Sequence, residues 1–358
     1  IRYCFCGRRI FDDFSQMIKI LKFAFQILLY LLVLILVIYV FLWIWNFFID
    51  ELPQDQMVYG VTFSKPYAVE LGLDWKEIYL AILDDLKVKN IRLIAYWPEV
   101  EPKEGKFDFR DLDFQINEAV KRNAKIILAV GRRLPRWPEC HEPSWTLNQN
   151  LEVKNEKLLE YIEKTILRYK EVEAIKYWQV ENEPFLMRFG ICPKTNIEFL
   201  DKEIALVHSL DSRPVIISDN GEVSIWINAR KRADVFGTTM YRVIWKKPFG
   251  YFRYPLPSTF FRFKDFVSKI FTGELFGQPK KVIVIELQAE PWGPEVTTRL
   301  TLEEQFVSMD FEGFKGNIGY ARRAGFKEVY LWGVEWWYWL KEKANEPRFW
   351  EFAKSKIF

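Results

Sequence analysis

Short apolar strands alternate with amphipathic helical segments along most of this chain, and this alternation limits the fold more than any other feature. The strand segments are rich in Val, Ile, Leu and aromatic residues. Such near-continuous apolar runs are typical of parallel strands buried on both faces. The sequence therefore predicts an α/β fold with a parallel sheet. Its eight strands are expected at 58–63, 91–97, 125–130, 175–180, 214–218, 234–241, 281–286 and 328–334.

The helical segments between these strands carry start signals of their own. Asp74 and Glu77 form a capping-box-like start to one helix, and Thr301 with Glu304 starts another. Eight strand–helix units in about 300 residues is the count of a (β/α)8 TIM barrel, the fold that we predict for 58–358. An open doubly wound sheet is the alternative, but no GxGxxG sequence follows the first strand.

An apolar run precedes the predicted barrel. Residues 27–45 read ILLYLLVLILVIYVFLWIW, without a charge, a Gly or a Pro. At about 1.5 Å per residue this run is long enough to cross a bilayer as one helix. It is not followed by the small-x-small site that ends a signal peptide, so the sequence predicts a single transmembrane helix that is retained. A buried helix of a soluble core is the alternative interpretation.

The charges on either side of this run predict its orientation. Mostly basic residues come before it, and acidic residues follow it: Arg2, Arg8, Arg9, Lys19 and Lys22, then Asp50, Glu51 and Asp55. The positive-inside rule places the N-terminus in the cytoplasm and the barrel outside the cell membrane. The predicted organisation is a cytoplasmic segment 1–22, a transmembrane helix 23–49, a linker 50–57 and the barrel 58–358.

The composition disfavours several classes of function. The net charge is only +3, from 51 basic and 48 acidic residues, so no electrostatic footprint for nucleic acid is present. The only histidines are His141 and His208, and the chain has neither an HExxH helix nor a GxSxG elbow. Carboxylates are therefore the leading catalytic candidates. The 15 tryptophans exceed what a core of this size needs, and exposed rings can stack on sugars.

Two of the predicted strands end in glutamates. The fourth runs into YWQVENEPF, which places Glu181, Asn182 and Glu183 at its end, and the seventh ends with Glu286 in KVIVIELQAEPW. In a TIM barrel both ends open onto the same mouth. Two carboxylates facing each other across a pocket can cleave a glycosidic bond: one protonates the leaving oxygen, and the other attacks the anomeric carbon or directs water to it. Such neighbours also push each other's pKa values apart, so one can stay protonated while the other is ionised.

These features resemble clan A of the glycoside hydrolases, and most closely the family 5 cellulase-like enzymes. The resemblance covers about residues 57–345 and rests on NEP after the fourth strand, a Glu ending the seventh, an Arg in the second and a Trp ending the eighth. It implies a retaining mechanism with Glu183 as general acid/base and Glu286 as nucleophile, and no metal or cofactor is required. The supporting residues that it implies are Asn182 on the sugar 2-hydroxyl, Arg92 and Tyr241 on the nucleophile, and Trp332 as the floor of the sugar site.

Some site assignments remain open in the sequence. Glu290 lies in the same loop as Glu286 and competes with it, but Glu286 directly ends the apolar strand and is preferred for that reason. Trp97 and Trp137 are further candidates for contact with substrate. The loop after the third strand, GRRLPRWPECHEP, lacks the His that family 5 often shows there. Its residues suit either a sugar-contacting loop tolerant of acidic sugars or a solvated loop: Arg132, Arg133, Trp137, Glu139 and His141.

The four cysteines divide between the two sides of the predicted membrane. Cys140 and Cys192 follow the third and fourth strands, which are neighbours in a barrel, so these residues form either a disulfide or two free thiols. Cys4 and Cys6 are expected in the cytoplasm as a free thiol pair, with acylation of this juxtamembrane CxC as the alternative.

The sequence therefore predicts a membrane-anchored retaining glycoside hydrolase with a carbohydrate substrate. A transglycosylase would use the same covalent intermediate, and the sequence does not distinguish the two. A barrel that only binds glycan is disfavoured because both carboxylates are present, and a structural scaffold has no supporting feature beyond the anchor.

Overall fold

Eight parallel strands close into a barrel in the computed structural model of this chain. The structure describes residues 6–186 and 189–358, with side chains from residue 16, so Cys4 and the Cys6 side chain lie outside the described residues. All eight predicted strands are present, which confirms the TIM barrel. They are β1 (Val58–Thr62), β2 (Asn90–Ile94), β3 (Lys125–Val130), β4 (Ile175–Val180), β5 (Val215–Asp219), β6 (Val235–Met240), β9 (Lys281–Gln288) and β10 (Glu328–Trp332).

The sequence interpretation did not include one hairpin. After β6 the chain forms two antiparallel strands, β7 (Val243–Lys246) and β8 (Gly250–Arg253), before it returns to the barrel. The barrel is ordered β1-β10-β9-β6-β5-β4-β3-β2, so β6 pairs directly with β9. The seventh and eighth predicted strands are therefore β9 and β10.

Helices surround the barrel, and side chains at their N-termini stabilise several of them. Asp74 Oδ1 accepts from the backbone of Lys76 and Glu77 at 2.8 and 3.2 Å, and Thr301 with Glu304 forms a complete capping box. The helices of this unit are α2 (Lys65–Glu70), α3 (Trp75–Asp84), α4 (Trp97–Val100), α5 (Arg110–Lys121), α6 (Leu151–Tyr169), α7 (Ile197–Leu210), α8 (Ile227–Arg232), α9 (Thr259–Thr272), α10 (Leu302–Ser308), α11 (Phe311–Ala324), α12 (Val334–Lys343) and α13 (Arg348–Phe352).

Strand residues pack in two layers, as alternation along a strand requires. One set faces the helices and joins the large outer core. The other fills the barrel interior, where its members form a separate apolar cluster: Ile127, Ile216, Val235, Ile283, Ile285 and Tyr330. Arg92, also at an inward position, is fully buried in the barrel. The interior is therefore apolar toward the end where the strands begin and charged toward the end where the strands finish.

Strand β9 contains an irregularity that matters for the site. Its register gains one residue against both neighbours: Thr238 pairs with Val284 and Thr239 with Glu286, while Val329 pairs with Val284 and Leu331 with Leu287. An extra residue of this kind is a β-bulge, which re-aims the side chains beyond it. Strict alternation after Ile283 and Ile285 would point Glu286 at the helices. The bulge instead allows it to join the mouth of the barrel.

The first helix belongs to a separate compact unit, Ile1–Asp50, and the barrel to Glu51–Phe358. Helix α1 spans Cys6–Phe48, so it begins well before the predicted 23–49. Its segment Gln16–Phe48 has a mean hydropathy of 3.1 over its most apolar window and is a candidate membrane span. Part of the predicted linker 50–57 belongs with the barrel, because the Leu52 backbone N–H donates to the Arg322 carbonyl at 3.3 Å.

A disulfide joins two loops at the mouth. Cys140, after β3, is bonded to Cys192, after β4, with their Cα atoms 5.2 Å apart. The interpretation with two free thiols is therefore wrong. The bond closes a 52-residue loop that contains β4 and its glutamates, so it restricts the unfolded chain and fixes the two loops beside the site.

We predict that replacing both Cys140 and Cys192 by Ser destabilises the barrel. Loss of loop-closure restriction over 52 residues is expected to lower the free energy of unfolding by about 2–4 kcal/mol. Denaturant unfolding of the full chain in one detergent, without reductant, measures this change. The control is Cys4→Ser with Cys6→Ser. Equal midpoints for the two double variants would contradict the prediction.

Candidate active site

Arg92 is the central residue of the site. It lies on β2 inside the barrel, and each of its three side-chain nitrogens donates to an acceptor on another strand or in the loop that follows one. Nε donates to Gln179 Oε1 at 2.8 Å, Nη1 to Glu286 Oε1 at 2.7 Å and Nη2 to Asn182 Oδ1 at 2.8 Å. One guanidinium thus connects β2 with the ends of β4 and β9. The predicted contact between Arg92 and Glu286 is present.

Glu286 receives a donor on each carboxylate oxygen. Arg92 contacts Oε1, and the Tyr241 hydroxyl, directly after β6, donates to Oε2 at 3.0 Å. The side chain is almost completely buried. A buried carboxylate needs both a cation and hydrogen bonds, and here it has both. These contacts hold the carboxylate in one orientation.

Glu183 has different surroundings. Its carboxyl contacts a neutral group, because the Thr239 hydroxyl donates to Oε1 at 3.2 Å. Burial raises the pKa of Glu183 well above its ordinary value, and the nearby carboxylates of Glu286, Glu139 and Asp219 raise it further. These surroundings favour the protonated form of Glu183. The two glutamates of the site thus have different surroundings.

Thr239 relates the carboxyl groups of Glu183 and Glu286 to the same part of the barrel mouth. It pairs with Glu286 across the β6–β9 ladder, and its hydroxyl contacts Glu183. Paired strands lie about 4.8 Å apart, so both acids surround the end of the same strand. Glu183 itself has a left-handed backbone with φ 44°, and Glu181 has φ 59°. Such conformations are strained for residues other than Gly and are concentrated at functional sites.

Asn182 lies between the two acids and has one side free. Its Oδ1 accepts from Arg92, from Gln179 Nε2 at 3.2 Å and from the Ser218 hydroxyl at 3.2 Å. With the oxygen fully engaged, the amide Nδ2 is the group left to donate. This arrangement suits the predicted hydrogen bond to a sugar hydroxyl.

Arg136 modifies the predicted role of Trp332. Trp332 does lie at the mouth, but the Arg136 guanidinium covers it, 4.0 Å from the indole centroid and 3.7 Å from the Tyr67 ring on its other side. Arg136 also forms ion pairs with Glu290 and Glu335. A sugar would therefore meet Trp332 only at another face or edge. Sequence reasoning missed Arg136, and Glu290, the competitor of Glu286, is occupied by it.

The two other predicted tryptophans differ in position. Trp137 is 63% exposed and begins a row of aromatic contacts through Phe189 and Trp292 to Tyr241, with centroid separations of 6.3, 5.3 and 5.2 Å. Trp137 is thus placed where a longer glycan could stack.

Trp97 is not brought to the mouth, which corrects the expectation that it contacts substrate. Strand β2 ends at Ile94, earlier than predicted, and Trp97 begins the short helix α4. Its fully buried ring stacks on Tyr161 with centroids 5.8 Å apart, and its N–H donates to Glu101 Oε2 at 2.8 Å. Trp97 is a core residue beneath the helices.

The arginines of the loop after β3 are engaged within the protein. Arg133 donates to the backbone carbonyls of Asn182 and Phe189 at 2.9 and 3.0 Å, and Arg132 pairs with Glu142. Their backbone N–H groups donate to Glu181 at 2.7 and 2.6 Å. These contacts tie the β3 loop to the NEP loop. The acidic-sugar hypothesis thereby loses the two guanidiniums on which it depended.

Glu139, one of the residues that suggested a sugar-contacting loop, is a third acid near the site. It is buried in the disulfide-linked loop, and burial raises its pKa to about 8, with Arg133 opposing and the charge of Glu286 adding to the shift. At neutral pH it is mostly protonated and does not compete with Glu286 for Arg92. Sequence spacing did not predict its position near Glu286, because the loop folds back on itself through the bond from Leu134 N–H to the Glu139 carbonyl, 2.8 Å long.

We predict that Glu183→Gln stabilises the folded protein in a pH-dependent way. The ordinary Glu pKa is 4.5, so above that pH the unfolded chain loses a proton that the folded site retains. Folding with Glu183 therefore becomes less favourable as pH rises, whereas Gln does not titrate. The melting temperature of Glu183→Gln should exceed that of wild type at pH 7.5 and approach it near pH 4. The exposed Glu303→Gln is the control, and equal melting temperatures at pH 7.5 would contradict the assignment.

Comparisons with known proteins agree with this geometry. The glycoside hydrolase family 42 model, described as beta-galactosidase, matches residues 74–211, well under half of the chain. No curated protein matches the chain. A beta-galactosidase from the haloarchaeon Halorubrum lacusprofundi superposes with a TM-score of 0.55 at 13% identity, over 77% of this chain and 52% of that one. This chain thus spans about half the length of that enzyme.

Shorter glycosidases are similar to the chain over more of their length. A family 5 mannosidase from Rhizomucor miehei has a TM-score of 0.53 at 11% identity, over 79% of this chain and 85% of that one. A family 10 endoxylanase from a sugarcane soil metagenome has a TM-score of 0.51 at 15% identity, covering 78% and 86%. The similarity is spread over families 42, 5 and 10, so family 5 is not singled out. The chain therefore has a TIM-barrel fold similar to that of these glycosidases.

Proposed function

We propose that this protein is a membrane-anchored glycosidase that cleaves O-glycosidic bonds with retention of configuration. Glu183 is the general acid/base and Glu286 the nucleophile. Asn182 orients the sugar, and Arg92 and Tyr241 position the nucleophile. The different surroundings of the two glutamates are the observation that supports this proposal most strongly: one carboxyl is buried without an ion pair among the described residues, and the other contacts Arg92 and Tyr241.

The reaction proceeds in two displacements. First, a Glu286 oxygen forms a bond to the anomeric carbon while the glycosidic C–O bond breaks, and Glu183 transfers its proton to the leaving oxygen. Glu183 is then a carboxylate. It takes a proton from water as the water oxygen attacks the anomeric carbon, Glu286 leaves, and Glu183 is again protonated. Two inversions give overall retention.

The charges at the mouth favour a neutral sugar. Arg92 is paired with Glu286, and Arg136 is paired with both Glu290 and Glu335. Arg133 is directed at backbone carbonyls. A uronic acid carboxylate would therefore find these three guanidiniums already occupied, and it would lie beside further acidic groups. We propose a neutral glycoside as substrate, with additional residues of a longer glycan stacked along Trp137.

The N-terminal helix is proposed to anchor the enzyme in the cell membrane with the barrel outside. The apolar segment Gln16–Phe48 is long enough to span the bilayer, and basic residues predominate on its N-terminal side. The disulfide between Cys140 and Cys192 supports the same orientation, because disulfides persist in oxidising compartments.

We predict that removing either glutamate identifies its role by the product that forms with azide. Activated aryl β-glycosides of galactose, mannose, xylose and glucose serve as substrates. Glu286→Ala should lower kcat/KM by about 10³ or more and, with azide, form a glycosyl azide of inverted configuration. Glu183→Ala should form a glycosyl azide of retained configuration, because azide then attacks the covalent glycosyl enzyme. Proton NMR distinguishes the two anomers.

Glu290→Gln is the matched control for this experiment. It removes a buried carboxylate from the same loop, but one that contacts Arg136. The nucleophile assignment fails if Glu290→Gln abolishes turnover while Glu286→Ala does not. Inversion of configuration by the wild-type enzyme would contradict the double displacement. Products longer than the substrate would indicate transfer to a sugar acceptor in place of hydrolysis.

A further inference from the structure

The apolar stripe of helix α9 faces solvent and not the core of the barrel. Apolar residues recur at helical spacing along it, at Phe263, Phe266, Val267, Ile270 and Phe271. In a surface helix such a stripe normally faces the core. Here Phe266, Ile270 and Phe271 are 50, 47 and 61% exposed, and the stripe continues into Leu275 and Phe276, which are 43 and 94% exposed.

The side of α9 that faces the barrel is in part polar. Lys264 and Ser268 are buried there: Lys264 Nζ donates to the Gly221 carbonyl, and Ser268 Oγ accepts from Arg230 at 3.0 Å. Hydrogen bonds therefore hold this face, and they fix the rotation of the helix. The outward direction of the phenylalanines is thus a consequence of specific contacts. An exposed apolar patch of this kind needs a partner.

The patch lies at the end of the barrel opposite the glutamates. Helix α9 is followed directly by residues 273–280 and then by Lys281, the first residue of β9. The C-terminal part of α9 is therefore at the end where strands begin. Glu183 and Glu286 are at the end where strands finish. A partner on this patch would not cover the candidate active site.

The chain enters the barrel beside α11, at the end where strands begin. Glu51 pairs with Arg323 at 2.8 Å, and Arg322 Nε donates to the Leu52 carbonyl at 2.7 Å, both in the last turn of α11. The Arg323 carbonyl accepts from Arg262 Nε at 2.8 Å, so the long Arg262 side chain links the first turn of α9 to the last turn of α11. The apolar stripe of α9 begins at the next residue and ends at the same end of the barrel as α11.

Chain length then limits how far this end of the barrel can be from a membrane. Only Ile49, Asp50 and Glu51 separate the end of the apolar helix at Phe48 from Leu52. Four extended steps reach at most about 14 Å. If the helix spans a bilayer, the attachment of Leu52 to Arg322 lies within that distance of the end of the span. Phenylalanine and leucine side chains on an exposed helix face are suited to insertion at the headgroup boundary.

We propose that the outer face of α9 and the turn after it, formed by Phe266, Ile270, Phe271, Leu275 and Phe276, inserts into the surface of the lipid bilayer spanned by the N-terminal helix. The barrel is then held at two points, and its mouth faces away from the lipid. This inference goes beyond the catalytic assignment and rests on the proposed membrane anchor.

Spin labels on the full chain test this proposal. Cys4→Ser with Cys6→Ser provides the background, and Phe271→Cys or Phe276→Cys carries the label in nanodiscs of phosphatidylcholine and phosphatidylglycerol, with one copy in each disc. Accessibility to oxygen and to a water-soluble nickel chelate is measured. Both labels should be accessible to oxygen and at least fivefold less accessible to nickel than a label at the mouth on Leu147→Cys, a site 72% exposed in the wild type.

A label on Leu34→Cys, within the apolar helix, separates two kinds of failure. If Leu34→Cys lies in lipid and the α9 labels are as accessible to nickel as the Leu147→Cys label, the α9 proposal is overturned while the anchor stands. If Leu34→Cys is itself accessible to nickel, the anchor fails and the proposal fails with it. Efficient cross-linking of Phe271→Cys between two copies in lipid vesicles would identify a second copy as the partner and would also overturn the proposal.

Discussion

A single buried guanidinium organises this barrel. Arg92 is surrounded by protein inside the sheet, and a charge in that position is tolerated only if it is paired and its donors are satisfied. Glu286, Gln179 and Asn182 supply those acceptors from β9 and from the end of β4. The partners come from parts of the chain that only closure of the barrel brings together. Folding and assembly of the site are therefore the same event.

The ion pair between Arg92 and Glu286 also gives Glu286 and Glu183 different surroundings, although both are glutamates. Arg92 and Tyr241 contact Glu286, and the Glu183 carboxyl is buried beside other acids with only a hydroxyl on it. The ion pair with Arg92 therefore goes to one of the two acids, while burial and neighbouring carboxylates raise the pKa of the other. Glu139 continues this pattern, because its raised pKa leaves Arg92 to Glu286 alone.

The sequence was sufficient for the parts of the fold that depend on local pattern. All eight strands were predicted, because most are near-continuous apolar runs, and Glu183 followed from its position at a strand end. The orientation of Glu286 could not be predicted, since it depends on the extra residue in β9, which appears only when that strand is paired with its neighbours. Trp97 was misplaced because β2 ends early, and Arg136 reaches Trp332 through a loop whose path no periodicity encodes.

The barrel also separates its polar and apolar surfaces along its axis. The ends of the strands carry buried acids that are paired with Arg92 and Arg136. Near the end of the barrel where the strands begin, the outer face of α9 carries exposed phenylalanines that do not pack in the core. Burying Lys264 and Ser268 in place of those phenylalanines is unfavourable for an isolated soluble domain, because polar groups occupy the side that an apolar stripe would fill. Under the proposed insertion of α9, that arrangement becomes favourable because lipid covers the exposed phenylalanines.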